Sequence, residues 1–181
     1  VRSGIVIAGP TGVGKTDLAV RLAEHFCLQG GRCEIVSADA VSIYRELEIG
    51  TAKPSVEDRR RVRHHLIDIR SVADSSTFYS AGKFSEDFFK LAQSLPDPIL
   101  ICGGTGFYID AIIRGLAPTP PASPLLRRRL MREESENPGT IFEKLRLLDP
   151  AAAKSIGDSN LQRLIRAVEV CELTGRPFSE G

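Results

Sequence analysis

The stretch Gly4-Ile5-Val6-Ile7-Ala8-Gly9-Pro10-Thr11-Gly12-Val13-Gly14-Lys15-Thr16 decides the fold of this chain. Its first five residues are a short apolar run that reads as a buried parallel strand. From Thr16 to Leu28, the residues Leu18, Ala19, Leu22, Ala23 and Phe26 recur at the spacing of one helical face, and Gly30-Gly31 ends that helix. Between strand and helix lies G-x-x-x-x-G-K-T. Its glycines let successive backbone N–H groups turn inward around an anion, and the helix N-terminus adds its positive dipole end. From average residue frequencies, a chance match in a chain of this length is on the order of one per cent. Gly9, Pro10, Thr11, Gly12, Val13, Gly14, Lys15 and Thr16 are therefore read as a pyrophosphate- or nucleotide-binding loop. Lys15 supplies a cation for the terminal phosphate, and the Thr16 hydroxyl is the candidate ligand for Mg²⁺.

Outward from this loop, residues 34–37 read as a second strand and 66–69 as a third. Residues 78–95 read as a helix with Phe84, Phe88, Leu91 and Leu95 on one side, and 98–102 as a further buried strand closed by Gly103-Gly104. Strands alternating with helices require crossover connections, hence a parallel sheet covered on both faces. The expected fold is a three-layer α/β fold of the P-loop NTPase type. After Gly115 the texture changes: Pro118, Pro120, Pro121 and Pro124 make a stiff connector, and the sequence from Leu125 onward is helical and charged. Asp158-Ser159-Asn160 supplies a cap for a helix over 161–174, which Gly175 and Pro177 close. The expected division is an α/β catalytic core from 1–117 and 154–181, with 118–153 as a helical insertion or lid.

The chain has 181 residues, room for one compact domain with a small appendage. A net charge of +1 means that any nucleic-acid binding comes from local patches rather than a global basic field. Cys27, Cys33, Cys102 and Cys171 form no CxxC pair, so reduced thiols are expected rather than a zinc site or a disulfide framework. His64 and His65 lack partners at metal-ligand spacing and are read as structural or RNA-contacting. No apolar run approaches membrane-spanning length and no signal segment is legible, so a soluble, cytoplasmic protein, a monomer, is expected. The start at Val1 without methionine and the stop at Gly181 look like the edges of a fragment. The strand before Gly103-Gly104 ends without the acid that motor and switch ATPases use for Mg²⁺, which leaves small kinases and pyrophosphate-using transferases.

Further stretches narrow the choice: Ser37-Ala38-Asp39-Ala40-Val41-Ser42-Ile43-Tyr44, Ile49-Gly50-Thr51-Ala52-Lys53-Pro54, His64-His65-Leu66-Ile67-Asp68, and Gly103-Gly104-Thr105-Gly106-Phe107-Tyr108. With the phosphate loop and the helix Asn160-Leu161-Gln162-Arg163-Leu164-Ile165-Arg166, they resemble the tRNA dimethylallyltransferase (tRNA isopentenyltransferase) family, in the family's order and over nearly the whole chain. The resemblance implies transfer of a dimethylallyl group from dimethylallyl pyrophosphate to the N6 amine of an anticodon-loop adenine in tRNA, with pyrophosphate released. Asp39 follows the second strand, at the sheet edge where ligands of such folds bind, and is expected to be the general base. Capping of the segment after it is the competing reading. Lys15 would stabilise the leaving pyrophosphate, and Thr105 would touch pyrophosphate or adenine.

By resemblance the tRNA-contacting residues are Asp39, Ala40, Val41, Ser42, Thr105, Arg127, Gln162, Arg163, Leu164, Ile165 and Arg166. Arg59-Arg60-Arg61 and Arg127-Arg128-Arg129 read as surface charge or tRNA-backbone contacts. Ala40 stands where the family commonly has serine, and family members continue into a further helical region beyond the arginine helix. The alternatives are an adenylate isopentenyltransferase, a small-molecule P-loop kinase, and an RNA-binding module that keeps the loop only as structure. The Gly-Thr-Ala-Lys-Pro block and the insertion favour the tRNA enzyme over the first.

Overall fold

The inner apolar runs become strands because alternate residues find a helical layer on each side of one sheet. The computed structural model describes residues 3–51, 53–74 and 79–180. Among them β1 (Gly4–Ala8), β2 (Ile35–Ser37), β3 (His64–His65) and β4 (Ile99–Gly103) form a four-stranded sheet in the order β1-β4-β2-β3. Every pairing is parallel, with Ile35 opposite both His64 and Leu100. This is the α/β fold expected, and the order leaves α1 (Lys15–Leu28) as a crossover from the edge strand to an inner one.

Side-chain alternation sorts the two faces. Ile35 and Leu100 pack with Ala19, Val20 and Ala23 of α1, with Ile5 and Ile7 alongside. Val36, Ile99 and Ile101 pack on the other face with Phe84 and Phe88 of α3 (Ala81–Ala92) and Tyr108 and Ile109 of α4 (Gly106–Ile113). Phe84 is fully buried and stacks on Tyr108 with ring centroids 4.5 Å apart. The Tyr108 hydroxyl donates to the Tyr79 carbonyl at 2.9 Å, so its polar end is satisfied in the core. This packing seats the first turn of α4 at the carboxyl end of β4.

Three elements differ from the sequence reading. β1 is an edge strand rather than a buried one: Gly4, Val6 and Ala8 are exposed, and only Ile5 and Ile7 turn toward α1. The third strand is His64–His65, not 66–69. Leu66 and Asp68 both have φ of 57°, the left-handed region that bulky residues seldom adopt, so the chain leaves the ladder there. A single bridge, Tyr44 to Arg70, follows. The helix expected over 78–95 is Ala81–Ala92; Ser80 starts it by accepting from the Lys83 amide, and Phe78 lies outside the described residues.

Residues 1–116 and 117–181 form separate compact units. The second contains α5 (Pro124–Glu136), α6 (Thr140–Leu148), α7 (Pro150–Ile156) and α8 (Leu161–Thr174). Ser123, Asp149 and Asn160 cap α5, α7 and α8 with their side chains, and Gly175 closes α8 in the left-handed conformation. The sequence reading joined 154–181 to the α/β core. In the structure Leu164, Ala167, Val168 and Cys171 instead share one apolar cluster with Leu130, Ile141 and Leu145. No helix among the described residues is long and apolar enough to cross a membrane.

β4 ends where only glycine fits. A Cβ on Gly103 would stand 2.1 Å from the Ala38 carbonyl oxygen, a backbone atom that cannot swing aside. Gly103→Ala is expected to destabilise the first unit by about 1–3 kcal/mol or more, since the strand end must move to relieve the overlap. A chemical-denaturation comparison with the wild type, in which the variant unfolds at lower denaturant, checks this.

Candidate functional site

The phosphate loop has the backbone that its glycines allow. Gly12 and Gly14 have φ of 87° and 84°, which a residue with a Cβ reaches only under strain. Gly14 is the N-cap of α1 and supplies no side-chain cap, so the first N–H groups of the helix are left for an anion. Lys15 Nζ donates to the Pro10 carbonyl at 2.6 Å, which holds the ammonium over its own loop. Thr11, Gly12, Lys15 and Thr16 border a cavity of about 160 Å³, completed by Ser37 at the end of β2, by Asp39 and Ser42 after it, by Pro54, and by His64 of β3.

Asp39 makes the capping contact and borders the cavity. Its Oδ1 accepts from the amides of Val41 (2.9 Å) and Ser42 (3.0 Å), so one oxygen caps the following turn. Its Oδ2 faces the other way, 4.0 Å from the point a Cβ on Gly104 would occupy. Thr105 does not border the cavity. Its hydroxyl accepts from the Ala40 amide at 2.9 Å and its amide donates to the Ala38 carbonyl at 3.1 Å, so it ties the Asp39 turn to the end of β4. That is a positioning contact. Of the turn residues expected to meet tRNA, Val41 is exposed, Ala40 is half-buried against the core, and Ser42 is buried.

Behind Pro54, which borders the cavity, three charged side chains form a network. Lys53, only 6% exposed, donates to the Tyr44 carbonyl at 2.6 Å and to Asp68 Oδ1 at 2.7 Å. Arg59 donates to Asp68 Oδ2 at 2.6 Å and to the Pro54 carbonyl at 3.0 Å. The Asp68 amide donates to the Ser42 carbonyl at 3.0 Å, which closes a circuit from the Asp39 turn to Pro54. Burial works to raise the Asp68 pKa, but hydrogen bonds from Lys53 and Arg59 prevail and hold it below its ordinary value. The motif quoted around Lys53 and Asp68 flagged these positions; the pairing was invisible because it spans 15 residues and needs the left-handed turn.

His64 Nδ1 lies 2.8 Å from the Val62 carbonyl, so Nδ1 carries the hydrogen. Burial lowers the ring's pKa, which keeps it neutral at physiological pH, and Nε2 is buried without a hydrogen-bond partner among the described residues. His65 Nε2 instead meets Glu34 Oε2 at 2.6 Å. Among the described residues no group of three His, Cys, Asp or Glu side chains could hold a metal. The four cysteines are free, and burial raises the pKa of Cys102 at the cavity wall.

In the second unit, four of the residues expected to bind tRNA are otherwise engaged or buried. Leu164 and Ile165 are core, 2% and 6% exposed. Arg127 grips Glu169 through Nε (2.9 Å) and an NH2 nitrogen (2.7 Å). Arg166 joins the same carboxylate at 2.6 Å and also donates to Thr119 and the Pro120 carbonyl, which pins the proline-rich connector. Ser123 adds its amide at 2.7 Å. Arg60, Arg128 and Arg163 are exposed and have no ion pair among the described residues, whereas Arg59 and Arg61 are held by Asp68 and Glu24.

A parallel sheet with a phosphate loop, a carboxylate turn and a glycine turn gathered at its carboxyl edge defines a P-loop α/β protein. More narrowly, residues 42–181 match the IPP transferase family, and the chain belongs to that family. It is 45% identical over 179 residues to a tRNA dimethylallyltransferase of Desulfatibacillum aliphaticivorans, covering 97% of this chain and 56% of that protein. With the tRNA dimethylallyltransferase of Nitrosococcus oceani it shares 42% identity, covering 97% of this chain and 55% of the relative. Among solved structures, a eukaryotic dimethylallyltransferase acting on tRNA matches with a TM-score of 0.80 at 27% identity, covering 99% of this chain and 44% of that one. The tRNA isopentenylpyrophosphate transferase of Bacillus halodurans matches with a TM-score of 0.57 at 33% identity, covering 98% of this chain and 57% of that one. The chain thus spans about half the length of the curated relatives it matches.

Glu169 gives a pH test of the second unit. Burial works to raise its pKa, yet hydrogen bonds from Arg127, Arg166 and the Ser123 amide hold it below its ordinary 4.5. A carboxylate with a depressed folded-state pKa contributes stability that is complete above 4.5 and is lost as pH falls through the folded value. At neutral pH, Glu169→Gln is expected to cost about 3–5 kcal/mol, because the two guanidiniums lose their anion. Denaturation of both proteins across pH should show that gap narrowing in acid below 4.5.

Proposed function

We propose that this chain carries the prenyl-pyrophosphate site and the catalytic carboxylate of a tRNA dimethylallyltransferase. The observation that carries the reading is Asp39: one carboxylate oxygen is fixed by two amides, and the turn that bears it borders the same cavity as Lys15 and Thr16. The adenine N6 attacks C1 of dimethylallyl pyrophosphate, the C1–O bond breaks, pyrophosphate leaves into the loop, and Asp39 takes the amine proton. An exocyclic aryl amine is a weak nucleophile, so a positioned base contributes roughly 10²- to 10⁴-fold. The loop amides and Lys15 stabilise the charge that develops on the leaving group, at about 3–4 kcal/mol for each preorganised contact.

Mg²⁺ fits this site. Thr16 offers a hard hydroxyl oxygen beside Lys15, and with no carboxylate cluster among the described residues the remaining ligands would be phosphate oxygens and water, a common arrangement for this ion. Bound there, the ion would supply further charge neutralisation at the pyrophosphate. Arg60, Arg128 and Arg163, whose guanidiniums have no ion pair among the described residues, are the proposed phosphate contacts to the tRNA anticodon stem-loop, together with Gln162, and exposed Val41 is a proposed apolar contact. Arg127 and Arg166 act by shaping the connector. A cytoplasmic location accords with a tRNA substrate and with four free cysteines.

Calorimetric titration with dimethylallyl pyrophosphate and, separately, with ATP, both with Mg²⁺, tests the assignment. Preference for the prenyl pyrophosphate, abolished in Lys15→Ala, is expected; preference for ATP alone would replace the transferase with a kinase. Asp39→Asn keeps an oxygen for the Val41 and Ser42 amides but cannot take the proton. It should bind dimethylallyl pyrophosphate normally and slow prenylation of tRNA by roughly 10²- to 10⁴-fold.

A further inference from the structure

We infer that Lys53 is a positioning residue for the proposed base: its buried ammonium holds the exit of the turn that carries Asp39, and so fixes where the Asp39 carboxylate stands. The inference rests on the reading of Asp39 as general base and adds to it a residue that does not itself border the cavity.

Three hydrogen bonds lead from the carboxylate to the ammonium. Asp39 Oδ1 accepts from the Val41 amide at 2.9 Å, the Val41 carbonyl accepts from the Tyr44 amide at 3.1 Å, and the Tyr44 carbonyl accepts from Lys53 Nζ at 2.6 Å. Nζ also donates to the Arg45 carbonyl at 3.4 Å and to Asp68 Oδ1 at 2.7 Å, so its three N–H groups face three oxygens. With the side chain only 6% exposed, the ammonium serves as a cation built into the chain rather than as a ligand-binding group. The two preceding carbonyls are taken as well, Ser42 by the Asp68 amide and Ile43 by the Arg70 amide, each at 3.0 Å. Four consecutive carbonyls after the turn thus end on residues from further along the chain, and two of the four depend on Lys53.

The turn is therefore gripped at both ends: Thr105 holds its entrance at the Ala40 amide, and Lys53 holds its exit at Tyr44. Beyond the single bridge from Tyr44 to Arg70 this segment has no ladder, so it keeps one conformation only while its backbone groups keep these partners. A general base must stand within hydrogen-bond reach of the proton it takes, and a displacement of about 1 Å can cost on the order of 10²-fold. The phosphate loop has bonds of its own, Lys15 to the Pro10 carbonyl and the Leu18 amide to the Gly14 carbonyl, and does not depend on Lys53. Lys53→Met is the informative change. Asp68 keeps Arg59 at 2.6 Å, so no carboxylate is stranded, while the Tyr44 and Arg45 carbonyls lose the ammonium.

The test pairs hydrogen exchange followed by NMR with single-turnover prenylation of tRNA, in wild type, Lys53→Met, Asp39→Asn and the double variant. In Lys53→Met the Val41 and Ser42 amides, which report the Asp39 cap, should exchange roughly 10-fold faster, while the Leu18 amide beside the phosphate loop keeps its wild-type rate. Inorganic pyrophosphate should bind this variant with wild-type affinity. Lys53→Met should slow transfer by roughly 10- to 100-fold in the wild-type background but by about 2-fold or less in the Asp39→Asn background, where no base is left to position. Lys53→Gln, whose amide can donate to one carbonyl, should fall between wild type and Lys53→Met. An equal rate loss in both backgrounds, a loss of pyrophosphate affinity, faster exchange at all three amides, or unchanged exchange would each overturn the inference. If wild type transfers no prenyl group, or Asp39→Asn transfers at the wild-type rate, the reading of Asp39 as base fails, and the exchange comparison alone decides whether Lys53 holds its turn. If thermal melting shows Lys53→Met unfolded, Lys53→Gln decides by the same comparison: faster exchange confined to Val41 and Ser42 supports the inference, and uniform exchange overturns it.

Discussion

The carboxyl end of β4 and the turn after β2 touch backbone to backbone, and the site depends on that contact. Gly103 admits the Ala38 carbonyl to a distance no side chain would tolerate. Ala38 donates its amide to the Cys102 carbonyl at 2.8 Å and accepts from the Thr105 amide at 3.1 Å, so the two strand ends are stitched on both sides of the glycine. The Thr105 hydroxyl then holds the Ala40 amide, and the Asp39 carboxylate caps its own turn. Gly104 passes close to the Gly9 carbonyl, which brings the phosphate loop to the same seam. Three loops far apart in the chain are gathered by one requirement, the close approach of two parallel strands.

Both units also use a carboxylate held between two cations to tie down irregular chain. Asp68 joins Lys53 and Arg59, and through them fixes Pro54 at the cavity wall. Glu169 joins Arg127 and Arg166, and through them the proline-rich connector is fixed to α8. Such pairs contribute little net stability relative to apolar packing, because desolvation offsets their attraction. Their value is geometric: a loop without a regular ladder is held in one conformation. Resemblance marked Arg127 and Arg166 as RNA contacts, and their guanidiniums serve the protein's own chain.

The backbone of the glycine-rich loop was legible because its determinants are local. Glycines at fixed offsets, a preceding apolar strand and a following helix specify the cradle without reference to the rest of the chain. The α8 helix and its Asn160 cap were legible for the same reason, since capping acts over three residues. The third strand was misplaced because 66–69 is apolar enough for a ladder; the left-handed turns at Leu66 and Asp68 are imposed by Asp68 reaching two cations elsewhere. Leu164 and Ile165 were read as part of a contact segment, whereas their helical phase puts them in the core with Leu130 and Ile141.

By itself the sequence determined the alternation of strand and helix, the glycine-rich loop between β1 and α1, the helix caps and the family to which the chain belongs, all set by short-range spacing or by motif. Only the tertiary structure decided which oxygen of Asp39 is spent on capping, that Thr105 acts by holding the Asp39 turn, that residues 154–181 pack with α5 to α7, and that His64 Nε2 ends without a protein donor. The physical reason is the range of the interactions. Backbone propensity and capping act within a turn of chain, whereas hydrogen-bond satisfaction and burial are settled among groups that folding brings together from distant positions.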